Sequence, residues 1–176
     1  MISSDRSKTL EQLEGVVWPE PTYDSYLTST CHQLCKKPLD QLGIEDLRIM
    51  IGQNIGLEHL VPIAVEVLQR DPLASGHFYP GDLLKAVLSA RDSFWNNRDE
   101  LRKIVAQIAS KALEILNDEG DEETESLRET IANFERKSID LKSRGIDRDQ
   151  AADLRARLRP MDDDWSRPEM DTYDEQ

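Results

Sequence analysis

Asn97-Arg98-Asp99-Glu100-Leu101-Arg102-Lys103-Ile104-Val105-Ala106-Gln107-Ile108-Ala109-Ser110-Lys111-Ala112-Leu113-Glu114-Ile115-Leu116 is the stretch that decides the architecture. Leu101, Ile104, Val105, Ile108, Ala112, Ile115 and Leu116 recur three and four residues apart, which gathers them on one side of an α-helix. The stripe is wide, as on a helix that packs against a core. Asn97 and Glu100 stand in the spacing of a capping box and predict where the helix starts.

The same spacing returns towards the N-terminus. Phe94 and Trp95 precede the helix, and Leu83, Leu84, Val87 and Leu88 predict another behind the loop 74–82. The segment 57–70 predicts a helix with Ile63, Ala64, Val67 and Leu68 inward. Pro62 is expected in its first turn, where a missing N–H costs nothing, and Asp71-Pro72 ends it. After Gly43 a helix carries Glu45 and Asp46 in its first turn, where the helix dipole favours acids. Leu47, Met50, Ile51 and Ile55 follow inward, with Gly56 as its C-cap. A further helix is expected from Asp24 or Ser25 to about Lys36, with Tyr26, Leu27, Cys31, Leu34 and Cys35 on its apolar side and Pro38 closing it. Residues 7–14 predict one or two turns capped by Ser7 and ended at Gly15. Pro19 and Pro21 bar a helix between, so Trp18 is expected to plug into the core from an extended segment.

Downstream, Asp118, Glu119, Asp121, Glu122 and Glu123 crowd around Gly120 and read as a linker or a helix start. Over 124–143, Leu127, Ile131, Phe134 and Leu141 form a narrow stripe. It can dock on the main domain, pair with a second helix or grip a partner, and docking is the preferred reading. Residues 147–159 predict a short helix with Ala151, Leu154 and Leu158 inward. The end, 160–176, has seven acids and few apolar residues, the composition of a disordered tail. No run alternates as a strand would. The expected fold is all-α: an irregular multi-helix bundle over 7–116, an acidic linker and helical extension over 117–159, and a disordered acidic tail over 160–176.

The chain has 176 residues, 38% of them hydrophobic, enough for one modest core. Its net charge of −13 is unevenly placed. Residues 1–116 carry 12 Lys and Arg against 16 Asp and Glu, while 117–176 carry 10 against 19. Such a chain repels nucleic acid and anionic membranes and suits a basic protein partner. Asp118, Glu119, Asp121, Glu122, Glu123, Glu129 and Glu135 are therefore the candidate partner-binding residues. The plainer alternative is that they only aid solubility. The polar start has no apolar signal core, and the most apolar run, 60–65, stops at Glu66, far short of the ~20 residues of a membrane span. A soluble cytoplasmic protein is expected, monomeric by preference.

No phosphate loop, dinucleotide fingerprint, nucleophile elbow or His-Glu-x-x-His occurs. His32, His59 and His77 are isolated in sequence. Cys31 and Cys35, with His32 between them, lack a fourth ligand and read as reduced, half-buried thiols rather than a metal site. Carboxylates are too widely scattered to single out an acid–base pair, so a hydrolase is the least favoured reading. No catalytic residue, cofactor or metal is expected. His77-Phe78-Tyr79-Pro80-Gly81-Asp82 is the most unusual local stretch. It reads as a binding lip or as an anchor between helices with Asp82 capping the next one, the anchor being preferred.

An ordered series of short blocks carries a resemblance. Trp18-Pro19-Glu20-Pro21-Thr22-Tyr23-Asp24-Ser25-Tyr26-Leu27 is followed by Cys31-His32, Lys37-Pro38-Leu39 and Glu45-Asp46-Leu47-Arg48-Ile49-Met50-Ile51-Gly52-Gln53. Ile55-Gly56-Leu57, Leu60-Val61-Pro62, Asp71-Pro72-Leu73-Ala74 and Phe78-Tyr79-Pro80-Gly81-Asp82-Leu83-Leu84 complete it. The chain resembles, over about residues 10–90, the immunity proteins of contact-dependent growth inhibition (CDI). The resemblance implies a cytoplasmic, non-catalytic protein that binds and blocks a cognate toxin delivered by a neighbouring cell. It assigns no catalytic residue and does not identify the toxin; the acidity suits a basic one, such as a nuclease. The alternative reading is a helical adaptor or regulatory protein of an unrelated pathway that docks through 127–141.

Overall fold

The computed structural model describes residues 5–18, 25–116 and 122–143, with the side chains of the last stretch described over 123–137. The predicted helix over 147–159 and the tail over 160–176 lie outside the described residues. Eight α-helices occur among those described: α1 Leu10–Glu14, α2 Tyr26–Cys35, α3 Ile44–Gly52, α4 Leu57–Arg70, α5 Asp82–Leu88, α6 Asp92–Trp95, α7 Asp99–Ile115 and α8 Glu122–Ser143. A single 3-10 turn, Leu39–Gln41, joins α2 to α3. The all-α expectation holds, and among the described residues β-pairing is limited to one bridge between Thr9 and Pro38.

The core gathers around α3, which packs most extensively on α5 and next on α4. Met50 and Ile51 from α3, Leu60, Val61 and Leu68 from α4, and Leu83 and Leu84 from α5 have no exposed surface. Burial of each such side chain contributes about 1.5–3 kcal/mol. That surplus carries an awkward residue in α4. Pro62 is the sixth residue of the helix, not in its first turn, so the bond its N–H would have given to the Glu58 carbonyl is missing. Leu60, Val61, Ala64 and Val65, buried on either side of it, hold the helix through the gap.

Several helix ends differ from expectation, each for a local reason. Thr9 caps α1, accepting the Gln12 N–H at 3.3 Å while Gln12 accepts the Thr9 N–H at 3.0 Å. Ser7 instead donates its hydroxyl to Asp5 at 2.7 Å. At α3 the Gly43 N–H donates to Asp46 at 3.0 Å; glycine has no side chain to return the bond. The helix closes at Gln53, so Gly56 is not its C-cap. Gly56 starts α4 instead, at φ +59°, and a Cβ there would lie 2.8 Å from Leu10 of α1. Only glycine lets the two segments approach that closely. Asn97 sits at φ +63°, and the cap position of α7 is Arg98, one residue later than the capping-box spacing expects. Tyr26 and Leu27 are exposed, because the packed part of α2 begins only at Cys31. Ile115, at the end of α7, is likewise exposed. Trp18 packs half-buried against the core, as expected.

Two ties fix the ends of the bundle. The N-terminal segment lies along the 3-10 turn, with Leu39 N–H to Lys8 carbonyl at 3.1 Å and Asp40 N–H to Arg6 carbonyl at 2.9 Å, and Arg6 pairs with Glu66 of α4. Arg98 bonds the Phe94 carbonyl, lies 4.6 Å over the Phe94 ring and pairs with Glu58, joining α4 to the α6–α7 corner.

The stripe of α8 docks on the core. Leu127, Ile131 and Phe134 are buried there, and the Phe134 ring meets Trp95 edge-on at 5.1 Å. Residues 1–134 form one unit. The helix continues over 135–143 as the described part of a second unit, 135–176.

Candidate functional site

The acids singled out in the sequence fall in three groups. Asp118, Glu119 and Asp121 lie outside the described residues. Glu122 opens α8, and Glu123 and Glu129 are exposed on it, together with Glu125, which the sequence reading passed over. Glu135 is half-buried and belongs to the second unit. What turns Glu123, Glu125 and Glu129 outward is the docking of the opposite face. Leu127 packs on Gly81, Lys85 donates to the Ser126 hydroxyl at 2.7 Å, and Arg128 donates to the Leu116 carbonyl at 3.1 Å. Arg102 donates to the Phe134 carbonyl at 3.4 Å. The outward face is acidic over 123–129.

The loop 76–81 is built differently. Asp82 is only 4% exposed, the first residue of α5 rather than its cap. Its carboxylate accepts the Gly76 N–H at 2.7 Å and the Phe78 N–H at 3.2 Å, and the Arg48 guanidinium stands 3.7 Å away. Arg48 also makes two bonds of 2.7 Å to Glu45, one turn earlier on α3. Glu45 in turn accepts the His77 N–H at 3.1 Å. The Arg48 bonds hold the Glu45 carboxyl below its ordinary pKa, with the His77 N–H adding to the effect, and Glu45 raises the Arg48 pKa in return. A buried carboxylate is tolerable only when paired and hydrogen-bonded in this way. Gly81 begins the helix at φ +89°, and a Cβ there would meet Leu127 at 2.6 Å, so α8 closes down on the base of this loop.

The loop is held from below by Asp82, through backbone N–H groups rather than through its aromatic rings, and Asp82 is not a cap. Sequence reading missed the brace from Arg48. The signal was present in Glu45 and Arg48, three apart on one helix, but nothing local told that their far sides met residue 77 and residue 82. Above the brace the Phe78 ring is 70% exposed, with the Arg48 guanidinium 4.4 Å from its centroid.

The remaining candidates are structural. His32 is buried, its Nε2 3.2 Å from the Trp18 carbonyl oxygen. Cys31 and Cys35 are free thiols and fully buried rather than half-buried. Burial, and then the neighbouring Cys31, pushes the Cys35 thiol up to about 11, far from a reactive thiolate. Among the described residues no group of His, Cys, Asp and Glu side chains could hold a metal ion, and no helix is long and apolar enough to cross a membrane.

A sequence model of the family described as CDI immunity proteins matches residues 12–105. That span runs from α1 into α7 and contains Glu45, Arg48, the 76–81 loop and Asp82, but not α8. A comparison with curated proteins finds no match.

Proposed function

This chain belongs to the family of CDI immunity proteins, and from that premise we propose that it neutralises one cognate toxin by one-to-one binding, with no catalysis of its own. Immunity by binding a toxin protein is the function of the family. The finer reading is that the chain acts as a monomer in the cytoplasm, that the toxin is basic, and that a nuclease is the fitting class. A nuclease needs cationic surface to hold a phosphate backbone, and an acidic inhibitor meets that surface and excludes the substrate. In this reading Asp118, Glu119, Asp121, Glu122, Glu123, Glu129 and Glu135 form the steering part of the contact, within an extension, 117–159, that precedes an acidic tail, 160–176.

The family match over 12–105 is the observation that carries this reading. The adaptor alternative needed Leu127, Ile131 and Phe134 as a docking element, and those three are committed to the chain's own core. The test is growth. Cells that express the cognate CDI toxin, sought first in the gene immediately upstream, should survive when the chain is co-expressed, and should die under an unrelated CDI toxin despite it. Death under the cognate module in the presence of folded chain would refute the reading.

A further inference from the structure

Phe78 is exposed in a way that folding does not require. Its backbone serves the fold, since the Gly76, His77 and Phe78 N–H groups are all taken by Asp82 or Glu45. Any residue at 78 would supply the same N–H. Apart from the Arg48 guanidinium 4.4 Å from its centroid, the ring gains little inside the molecule, being 70% exposed, and leaving so much aromatic surface in water is unfavourable. Val16 and Val17 are also exposed apolar residues, but no such clamp holds them, and Tyr26 and Leu27 open a helix whose packed part starts later. Among the described residues, only at Phe78 does a brace of this kind present an aromatic side chain outward.

We propose that Phe78 is the anchor of the toxin interface, entering an apolar pocket on the toxin that is rimmed by cationic side chains. This rests on the immunity reading above. Three observations fix the occupant. The loop is ordered in advance by two carboxylates and Arg48, so little freedom is lost when the ring is buried against a partner. The brace holds two carboxylates, Glu45 and Asp82, against the one guanidinium of Arg48, in a chain of net charge −13. The rim that complements it is cationic. The acidic helix α8 rests on the same loop, through Leu127 on Gly81 and Ser126 on Lys85. Glu123, Glu125 and Glu129 are thus carried by a helix that packs on the base of this loop, and the loop with its braces lies within the family-matched residues. Aromatic side chains are enriched at the centre of protein interfaces, where a few residues carry most of the affinity.

The experiment uses the full chain and the cognate toxin identified by the growth test. Phe78→Ala should weaken binding about 30-fold or more, mainly through faster dissociation, while the melting temperature moves by no more than about 3 °C. Phe78→Tyr should stay within about 3-fold of the native affinity, and Val17→Ala, at an exposed apolar position outside the brace, should bind as native. Native affinity in Phe78→Ala would overturn the anchor and leave the immunity reading standing. Absence of binding by the native chain would overturn both. A loss of affinity in Phe78→Ala matched by a large fall in melting temperature would make the ring structural and overturn the anchor. So would a native homodimer in sedimentation that Phe78→Ala dissolves, because the ring would then belong to a contact between copies.

Discussion

Glu45 stands where three parts of the chain meet: the α3 helix that carries it, the Arg48 guanidinium one turn on, and the backbone of His77, with the His77 ring 3.7 Å from its other oxygen. Its carboxyl titrates below the ordinary 4.5 because Arg48 binds the charged form. A depressed folded pKa means stability that is present above the unfolded value and lost as pH falls through the folded one. Glu45→Gln should therefore be less stable than the native chain near neutral pH, by the about 1.5–3 kcal/mol of a charge-assisted hydrogen bond. That gap should narrow as pH drops below about 4.5. Denaturant melts of both chains between pH 3 and 8 measure it. A gap that is constant over the whole range would show that the Glu45 charge does not brace the loop. Residue-scale detail of this kind was the least legible in the sequence. Ser7 is a good cap type in a good position, yet Thr9 caps α1, and α7 has its cap position at Arg98 rather than Asn97. A capping side chain needs only one nearby N–H, and several adjacent residues offer equally plausible geometry. The helix over 57–70 is read correctly but Pro62 is its sixth residue rather than part of its first turn, and spacing does not reveal that the helix packs strongly enough to tolerate it there.

Elements were more legible, because a helix repeats its signal every turn. The inward sets of α5, and Val105, Ile108 and Ala112 of α7, follow from spacing alone. α8 shows the limit of that signal. Its narrow stripe was compatible with docking, pairing or partner binding, and only the positions of Trp95, Gly81 and Leu116 decide for docking. Docking leaves Glu123, Glu125 and Glu129 on the free side, where charge acts on approach more than on adhesion. Replacing the acids Asp118, Glu119, Asp121, Glu122, Glu123, Glu129 and Glu135 by Asn or Gln should slow association with the toxin, flatten its dependence on salt, and change dissociation and folding little. Exposed charges are screened over about 10 Å at 0.1 M salt, so a stopped-flow series from low to high ionic strength resolves the effect. Equal rates and equal salt slopes for native and neutralised chains would place the steering surface elsewhere.

At the scale of the molecule the chain joins a helical core to a charge surplus that is concentrated behind it, with −9 in residues 117–176 against −4 in the longer remainder. The core accounts for the family match. Its blocks are largely Gly, Pro and apolar residues that build helices and their corners, which is why fold class and family could both be read from one sequence. The proposed interface was legible only as one of two readings of 77–82. Nothing in the spacing of Glu45, Arg48, Phe78 and Asp82 announces that two helices and a loop bring them together, since that convergence is made by the packing of α3 on α5.

The central claim is that one molecule of this chain silences one molecule of toxin by occupying it. Titrating the chain into a fixed amount of the purified cognate toxin, at concentrations well above the dissociation constant, tests this most directly. Toxin activity should fall linearly and vanish at one equivalent, and the complex should sediment as a one-to-one species. Complete neutralisation by a small fraction of an equivalent would mean turnover, and would contradict the account.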